Sequence, residues 1–380
     1  MEEETVAEFY LEEFMKHLER LVNMDSGSSD IEGLNRAADY LCSCYQEIGL
    51  VPVRTALKPS GRPYIEVRTH PEQEEADVLF LGHIDTVFER GTAALRPFSV
   101  SEDGKRAYGP GAGDMKAGDL LAFYLTRALR EARPDLRICV CYNSDEEIGS
   151  EESAPVMQKT ASQCRYGFVF EPGRIGGHFV SQRKGAVDVA VRCSGIASHA
   201  GNAPQEGASA ILEMADLIQK LCALNDFRSG MTVNAGVIRG GSASNVVAAD
   251  CEAVFDVRYT SSDQLQDFEN YLEDLAARPA VDRVQVTWEK RSQMPPMNPN
   301  QNTQAMIDLL QGEANKMGLH PQFLHVGGAS DGSLLAEMGT AVMDGCGPES
   351  DKYHSAEEYL RVESIEERFH LLLSVISQLH

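Results

Sequence analysis

Basic residues are scarce in this sequence. It carries 34 lysine and arginine residues against 58 aspartate and glutamate residues, which gives a formal net charge of −24 at pH 7. Contacts to phosphate groups need clustered positive charge, so nucleic acid and an anionic membrane surface are both poor partners. Most of the surplus carboxylates are expected to lie on a solvated surface, and only a few can serve as ligands or catalysts.

The sequence also lacks long apolar runs and a secretory pattern. No segment approaches the roughly 20 apolar residues that a membrane helix needs, and no basic stretch precedes an apolar one at the acidic N-terminus. The nine cysteines are scattered without a CxxC motif, which argues against a disulfide framework and predicts a reducing, cytoplasmic location. Cys139 and Cys141 alternate within an apolar run and are predicted to be small buried strand residues.

The chain does contain enough apolar material for two cores, with 380 residues of which 43% are hydrophobic. In its first part the predicted helices are 5–24, 30–49 and 116–132, and the predicted strands are 63–69, 77–81, 136–143 and 166–170. The last three strands are buried in pattern and each ends beside candidate functional residues. This alternation predicts an α/β fold with a site beyond the carboxyl ends of its strands.

The middle of the chain follows a different pattern. It predicts a strand from about residue 178, a helix at 206–224, strands at 231–238 and 250–259, a helix at 263–278 and a strand at 282–289. This βαββαβ order is typical of a ferredoxin-like α+β domain. The α/β pattern resumes after the proline-rich segment 294–299. We therefore predict a discontinuous catalytic domain, residues 1–176 and 294–380, with a second domain inserted at 177–293.

Six side chains suited to metal binding or proton transfer occur in the α/β part of the chain. They are His83, Asp114, Glu146, Glu147, Glu171 and His354. Two imidazoles and three carboxylates suit a pair of divalent ions that share one bridging carboxylate. The adjacent acids at 146 and 147 diverge, so one can face the metals while the other accepts a proton from water. The set predicts a metal-dependent hydrolase.

Each candidate taken alone also has an ordinary structural explanation. His83 and Asp85 could be a surface histidine near an acid, although Asp85 is placed to accept the other ring N–H of His83. Asp114 could lie in a plain glycine-rich turn, and Glu146 and Glu147 in a solvated acidic loop. A nucleotide-binding loop is disfavoured because GPGAGD lacks the terminal GK[ST] of a P-loop. The shared position of the group at strand ends favours a functional site.

The chain resembles the zinc aminoacylase, carboxypeptidase and acetylornithine deacetylase family over nearly its whole length. The matching segments are GHIDTVF (82–88), AYGPGAGDMKAG (107–118), NSDEEIGS (143–150), FEPGR (170–174), SGIASHAG (194–201), NVVAADCEAVFDVRY (245–259), GGASD (327–331) and YHSAEEY (353–359). The phrases GHIDTVF, AYGPG and NSDEEIGS make it most similar to the glutamate carboxypeptidases. Ala117 departs from the family pattern, in which glycine is common, but it changes no ligand. The resemblance implies a zinc-peptidase-like catalytic domain with a mixed sheet.

The resemblance implies a ligand set for two zinc ions, for which cobalt or manganese can substitute. Asp114 would bridge both ions. His83 and Glu171 would complete one ion, and Glu147 and His354 would complete the other.

Further roles are implied around these ligands. Glu146 would act as general base and then as general acid, Asp85 would orient His83, and the peptide bond after Asp114 would be cis. The inserted domain would be a lid and dimerisation domain, from which His199 would reach the active site of the partner subunit in a homodimer and stabilise the oxyanion. The implied substrate contacts are Asn245, Arg258, Arg291 and the backbone N–H groups of Gly327 and Gly328.

The predicted reaction is hydrolysis of an amide bond that releases a C-terminal amino acid. An arginine and backbone N–H groups suit a free carboxylate on that amino acid, and glutamate is the best match to the family. An N-acyl-amino-acid deacylase or a dipeptidase stays open, because no residue specifies the acyl side. A scaffold protein on the same fold would have lost a ligand or Glu146, and all six side chains are present.

Overall fold

Helices and strands alternate along residues 9–379, which are the residues that the computed structural model describes. The helices are α1 Leu11–Val22, α2 Ile31–Glu47, α3 Thr92–Leu95, α4 Ala117–Ala132, α5 Ala154–Ala161, α6 Ala210–Cys222, α7 Ser262–Ala277, α8 Gln301–Lys316, α9 Gly332–Glu337 and α10 Glu363–Ile376. The strands are β1 Val53–Ala56, β2 Pro63–Arg68, β3 Ala76–His83, β4 Ser99–Val100, β5 Arg106–Tyr108, β6 Ile138–Asn143, β7 Cys164–Val169, β8 Phe179–Arg183, β9 Gly185–Ser194, β10 Thr232–Gly240, β11 Asp250–Tyr259, β12 Gln285–Met294, β13 Phe323–Val326, β14 Ala341–Met343, β15 Ser350–Asp351 and β16 Tyr359–Arg361.

The chain divides into two compact units. The first runs up to Gln182 and continues through Pro299–His325 and from Ser330 onward, while the second comprises Arg183–Asn298 and the short segment Val326–Ala329. Relative to the predicted insertion at 177–293, the second unit begins and ends later along the chain. It also includes a short segment that the sequence assigned to the catalytic domain.

The first unit contains a six-stranded sheet with the order β1-β2-β6-β3-β7-β14. Strands β6, β3, β7 and β14 are parallel, and β1 and β2 are antiparallel additions at one edge. The predicted α/β class with a mixed sheet is therefore confirmed. Central strand β3 is apolar along most of its length because both faces of a parallel sheet are covered.

The parallel strands end together at one edge of this sheet. In the register of the sheet, His83 of β3 pairs with Asn143 of β6, and Leu81 pairs with Val169 of β7. The acids of the 145–147 segment and Glu171 follow directly after β6 and β7. The topology therefore brings side chains that are far apart in sequence to a common edge.

The second unit has the predicted βαββαβ order, β9-α6-β10-β11-α7-β12. Its four strands form an antiparallel sheet in the order β10-β11-β9-β12. One face of this sheet supplies its own apolar core, which includes Val187, Val189, Phe255 and Val257 of the central strands together with Leu217 of α6. Alternation of apolar and polar residues along β9 and β11 produces this one-sided burial.

The N-terminal helix is shorter than predicted. The prediction of 5–24 begins outside the described residues, and α1 starts at Leu11 after Tyr10, whose dihedral angles are not helical. All nine cysteines are free. Among the described residues, no helix combines the length and apolar character needed to cross a membrane.

Candidate metal centre

His83 closes strand β3 at the sheet edge and is 1% exposed. Its Nδ1 lies 3.0 Å from the backbone carbonyl oxygen of Asp85. A neutral ring that carries its proton on Nδ1 donates to this carbonyl and leaves the lone pair of Nε2 free. Nε2 lies 3.3 Å from Oδ1 of Asp114 and 3.7 Å from Oε1 of Glu171. The backbone thus presents Nε2 of His83 to the carboxylates.

The side chain of Asp85 lies near Nδ1 of His83, as the sequence predicted, but the backbone carbonyl of the same residue lies closer. Its Oδ1 lies 3.5 Å from Nδ1 of His83, farther than the carbonyl oxygen. The carboxylate also accepts the Ser28 hydroxyl at 2.7 Å and the backbone N–H groups of Glu146 and Glu147 at 3.2 Å each. The prediction assumed an extended chain through residue 85, whereas β3 ends at His83. Asp85 therefore orients the histidine through its main chain and the acidic pair through its side chain.

Asp114 lies in an irregular turn, Ala112–Lys116, directly before α4. Gly111 precedes the turn with a φ of 73°, which a residue with a side chain rarely adopts. The peptide bond between Asp114 and Met115 is cis, as the family resemblance implied.

Glu358 holds this turn from the C-terminal part of the chain. Its carboxylate, 1% exposed, accepts the backbone N–H groups of Gly111, Gly113 and Asp114 at 3.0, 2.9 and 3.0 Å. Burial raises the pKa of Glu358 to about 7. No role for Glu358 is predicted from the sequence, although it lies in the family segment YHSAEEY, four residues after His354. A carboxylate that bonds only to backbone leaves no pattern in sequence.

The two carboxylate oxygens of Asp114 face two different imidazoles. Oδ1 lies 3.3 Å from Nε2 of His83, and Oδ2 lies 3.3 Å from Nε2 of His354. Nε2 of His354 is also 3.3 Å from Oε2 of Glu147. The arrangement has the form of a bridging carboxylate with one histidine on each side.

The six candidate side chains form two overlapping groups. His83, Asp114 and Glu147 offer ligand atoms within 4.8 Å of one another, and so do His83, Glu146 and Glu171. Glu147 also contacts His354, so Glu146 and Glu147 diverge toward the two sides of the cluster. The structure therefore brings together all six side chains that the sequence predicted for the metal centre.

The electrostatics of this cluster favour a positive charge within it. Hydrogen bonds with the carboxylates of Asp114 and Glu147 raise the pKa of His354 to about 10. Burial opposes the charged form of His83, but Asp114 and Asp85 outweigh it and raise the pKa of His83 well above its usual range. Burial, followed by the charge of Glu171, raises the pKa of Glu146 well above that of an ordinary carboxyl. A divalent cation would supply the positive charge that the imidazoles otherwise take up as protons.

The donor set fits divalent metal ions. Three buried atoms in it, Nε2 of His83, Oδ1 of Asp114 and Oε1 of Glu147, have no hydrogen-bond partner among the described residues. A buried polar atom without a partner costs free energy, so such atoms mark a place for a missing ligand. Imidazole nitrogen and carboxylate oxygen are the ligands that zinc takes, and His83 has the carbonyl contact on its second nitrogen that ligating histidines usually have.

A further buried carboxylate, that of Asp331, holds the chain on both sides of the Glu146–Glu147 turn. Asp331, 2% exposed, accepts the Ser150 hydroxyl at 2.5 Å and the side-chain amide of Asn143 at 2.6 Å. Burial raises the pKa of Asp331 to about 6. It ends the family segment GGASD, which is the signal that could have identified it.

The remaining predicted residues lie in the second unit. His199 is exposed, and its Nδ1 accepts the backbone N–H groups of Gly201 and Asn202 at 3.1 Å each, which leaves Nε2 as the donor of a neutral ring. The backbone carbonyl of Asn245 accepts the N–H of Ala200 at 2.9 Å, so the family segments around His199 and Asn245 adjoin.

The two predicted arginines already have carboxylate partners within this unit. Arg258 donates to Asp256, two residues earlier on β11, at 2.6 to 3.1 Å. Arg291 donates to Glu252 at 2.7 Å. Gly327 and Gly328 are exposed residues of the segment Val326–Ala329, with open space where a side chain would project.

Histidines and carboxylates gathered beside the ends of parallel strands, with buried nitrogen and oxygen atoms left without partners among the described residues, are the arrangement expected of a metal-dependent hydrolase. The model of Peptidase family M20/M25/M40 matches residues 79–378, and the chain belongs to this family. It is an enzyme of the hydrolase class, which confirms the predicted family and enzyme type.

The chain is also similar to individual proteins over most of its length. Carboxypeptidase G2 from Pseudomonas sp. (strain RS-16) is 28% identical over 96% of this chain and 89% of its own length. Acetylornithine deacetylase from Vibrio campbellii is 25% identical over 76% of this chain and 78% of its own length. Among solved structures, aminopeptidase PepT from Bacillus cereus has a TM-score of 0.79 at 21% identity and covers 97% of this chain and 99% of its own. At that identity the last comparison shows a common fold.

Proposed function

We propose that this enzyme is a dinuclear zinc hydrolase that cleaves an amide bond and releases a C-terminal amino acid, with glutamate as the preferred one. The observation that carries the proposal is the position of Asp114, whose two oxygens each lie 3.3 Å from a different imidazole nitrogen. The similarity to carboxypeptidase G2 over 96% of the chain supports the carboxypeptidase assignment.

The ligand assignment follows the contacts. Asp114 would bridge two ions, of which one is completed by His83 and Glu171 and the other by Glu147 and His354. Two divalent ions held by these residues would supply polarisation of the scissile carbonyl and a lowered pKa of water. Zinc suits these ligands, and cobalt or manganese can replace it.

Glu146 is the proposed proton carrier. Its carboxylate lies beside His83 and Glu171 rather than in solvent. It accepts a proton from the attacking water as the new C–O bond forms, and it returns this proton to the amine nitrogen as the C–N bond breaks. Asp85 holds the backbone N–H groups of Glu146 and Glu147 and so fixes the direction of both side chains.

The proposed oxyanion donor is His199 of a partner subunit in a homodimer. Its Nδ1 is occupied by two backbone N–H groups, which supports a neutral ring with a donor at Nε2. The second unit also exposes apolar side chains on α6 and on its edge strand β10, which supports self-association. These side chains are Ile211, Leu212, Val237 and Ile238.

Recognition of the free carboxylate is assigned to the second unit. Arg258 has the planar fork that matches a carboxylate, and its bonds with Asp256 show that it binds one in this structure. Asn245 and the backbone N–H groups of Gly327 and Gly328 are proposed as further contacts, and Arg291 as an outer one. A cytoplasmic location is proposed from the nine free cysteines.

A second candidate function is removal of an acyl group from an amino acid. The similarity to acetylornithine deacetylase over 76% of the chain favours it. Both reactions would use the same metal centre and release an amino acid through its amine nitrogen, so they differ only in the acyl group and in which amino acid is released.

The proposal is tested by replacing Glu146 with glutamine. We expect Glu146→Gln to lower kcat on an N-acyl glutamate by about 10²- to 10⁴-fold, the usual contribution of a general acid–base, while metal content stays at the wild-type level. Glu151→Gln is the matched control, because Glu151 is an exposed acid of the same acidic stretch. Substantial turnover by metal-loaded Glu146→Gln would reject the assignment of the base.

A further inference from the structure

Strand β6 of the first unit carries two buried cysteines that lie side by side. Cys139 and Cys141 are 0% and 1% exposed, and side chains two residues apart on a strand project to the same face. On the neighbouring strand β2, Glu66 pairs with Cys141 and Arg68 pairs with Cys139. The four side chains therefore face one another across two adjacent strands.

The spacing of these groups matches the ligands of a single thiophilic ion. The sulfur atoms of Cys139 and Cys141 are 3.9 Å apart, and a carboxylate oxygen of Glu66 lies within 4.8 Å of both. Two sulfurs bound to zinc at about 2.3 Å with a tetrahedral angle are about 3.8 Å apart. The thiols thus stand at the required separation without movement of the strand.

Two neighbouring residues, Tyr64 and Arg68, provide a fourth ligand and a balancing positive charge for such a site. The hydroxyl of Tyr64, 1% exposed and adjacent to Cys141, offers an oxygen as a fourth ligand. Arg68 donates to Glu66 at 2.7 Å and lies near both thiols. Two thiolates and one carboxylate around a divalent ion leave one net negative charge, which the guanidinium balances.

The side chain of Glu66 is partly exposed to solvent, with 26% of its surface accessible. Thr160 of α5 donates to the other oxygen of Glu66 at 3.2 Å and holds the carboxylate in place. A carboxylate has lone pairs for these donors and for an ion at the same time.

We propose that Cys139, Cys141 and Glu66 bind one thiophilic divalent cation, zinc in the first instance, at a site that shares no residue with the metal centre. Each thiol releases its proton to solvent on binding, and no oxidation or reduction takes place. The ion would clamp β2 to β6, the strand that leads into the Glu146–Glu147 turn, so the site is structural rather than catalytic.

Cobalt gives a test that separates the two sites. The metal centre contains only nitrogen and oxygen ligands, so a sulfur-to-cobalt charge-transfer band in the near ultraviolet can arise only from thiolates. We expect wild-type protein loaded with Co²⁺ to show this band at an intensity that corresponds to one site per chain. Cys139→Ser/Cys141→Ser is expected to lose the band together with one equivalent of bound metal.

Cys193 and Cys251 provide the matched control. They are buried and directly opposite each other on β9 and β11, but no third ligand gathers with them among the described residues. Cys193→Ser/Cys251→Ser should therefore keep the band. Absence of the band from folded, cobalt-loaded wild type, or its persistence in Cys139→Ser/Cys141→Ser, would overturn the proposal. If a variant does not fold, X-ray absorption of zinc-loaded wild type decides, because sulfur at about 2.3 Å is either present or absent.

Discussion

The carboxylate of Glu358 accepts the backbone N–H of Asp114 at 3.0 Å, and this bond ties the proposed bridging ligand to the segment that carries His354. The same carboxylate accepts two more N–H groups of the turn. Glutamine at position 358 has one acceptor oxygen and would present its own N–H₂ to at least one of these donors. Glu358 therefore acts on the metal centre through the backbone.

We expect Glu358→Gln to weaken metal binding by about 10- to 100-fold, the usual effect of losing a partner that supports a ligand. Competition with a chelator measures this change directly. Glu357→Gln is the control, because Glu357 is the exposed neighbour in sequence. An unchanged metal affinity in Glu358→Gln would show that the turn holds its shape without the carboxylate.

Variants of Asp85 and Ser28 measure separately how much each of these side chains contributes to holding the Glu146–Glu147 turn. Asp85→Asn replaces an acceptor of two backbone N–H groups, whereas Ser28→Ala removes only the hydroxyl that donates to Asp85. We expect kcat to fall more than 10-fold in Asp85→Asn and only a few-fold in Ser28→Ala, with KM little changed in both. A larger loss in Ser28→Ala would mean that the hydroxyl, rather than the carboxylate, sets the geometry.

Stability of the metal-free protein should depend on pH through His354. In the folded chain its pKa is raised from 6.5 to about 10, so the folded state holds a proton that the unfolded state gives up. The resulting stabilisation is complete below pH 6.5 and is lost as pH rises toward 10. Bound metal replaces this proton, so the difference in Tm between metal-loaded and metal-free protein should be larger at pH 9 than at pH 7.

Thermal melts at the two pH values, with and without chelator, check this expectation. His354→Gln in its metal-free form serves as the control and should show a smaller change in Tm between pH 7 and pH 9. If the metal-free wild type were equally stable at both pH values, His354 would not share a proton with Asp114 and Glu147 in solution.

Arg258 is expected to act on substrate binding rather than on the chemical step. Loss of one charge-assisted contact to a carboxylate costs about 1.5–3 kcal/mol, which corresponds to about 10- to 100-fold in KM. We therefore expect Arg258→Ala to raise KM for substrates with a free carboxylate and to leave kcat within a few-fold. Arg239→Ala, an exposed arginine on β10, is the control. A loss confined to kcat would argue against the assigned role.

Much of the fold could be predicted from periodicity. Strand β11 was predicted at 250–259, where it is observed, and the βαββαβ order of the second unit follows from alternation and helical spacing alone. The ligands could be predicted because parallel strands end at a common edge, so histidine and acids placed after such strands meet.

What could not be predicted depends on backbone direction or on contacts between distant segments. The carbonyl of Asp85 lies closer to His83 than its carboxylate does because β3 ends at His83, two residues before the end of the extended pattern that the prediction assumed. Glu358 was missed because its partners are backbone N–H groups. Cys139 and Cys141 were predicted only as buried residues, since Glu66 joins them through strand pairing and not through sequence spacing.

The most direct test of the proposed function compares N-acyl glutamate with the same compound blocked as its α-amide, using zinc-loaded and chelated protein. We expect that only the free carboxylate compound is hydrolysed, that chelation stops the reaction, and that glutamate is released faster than neutral or basic amino acids. Equal hydrolysis of the blocked compound, or turnover that survives chelation, would contradict the proposed function.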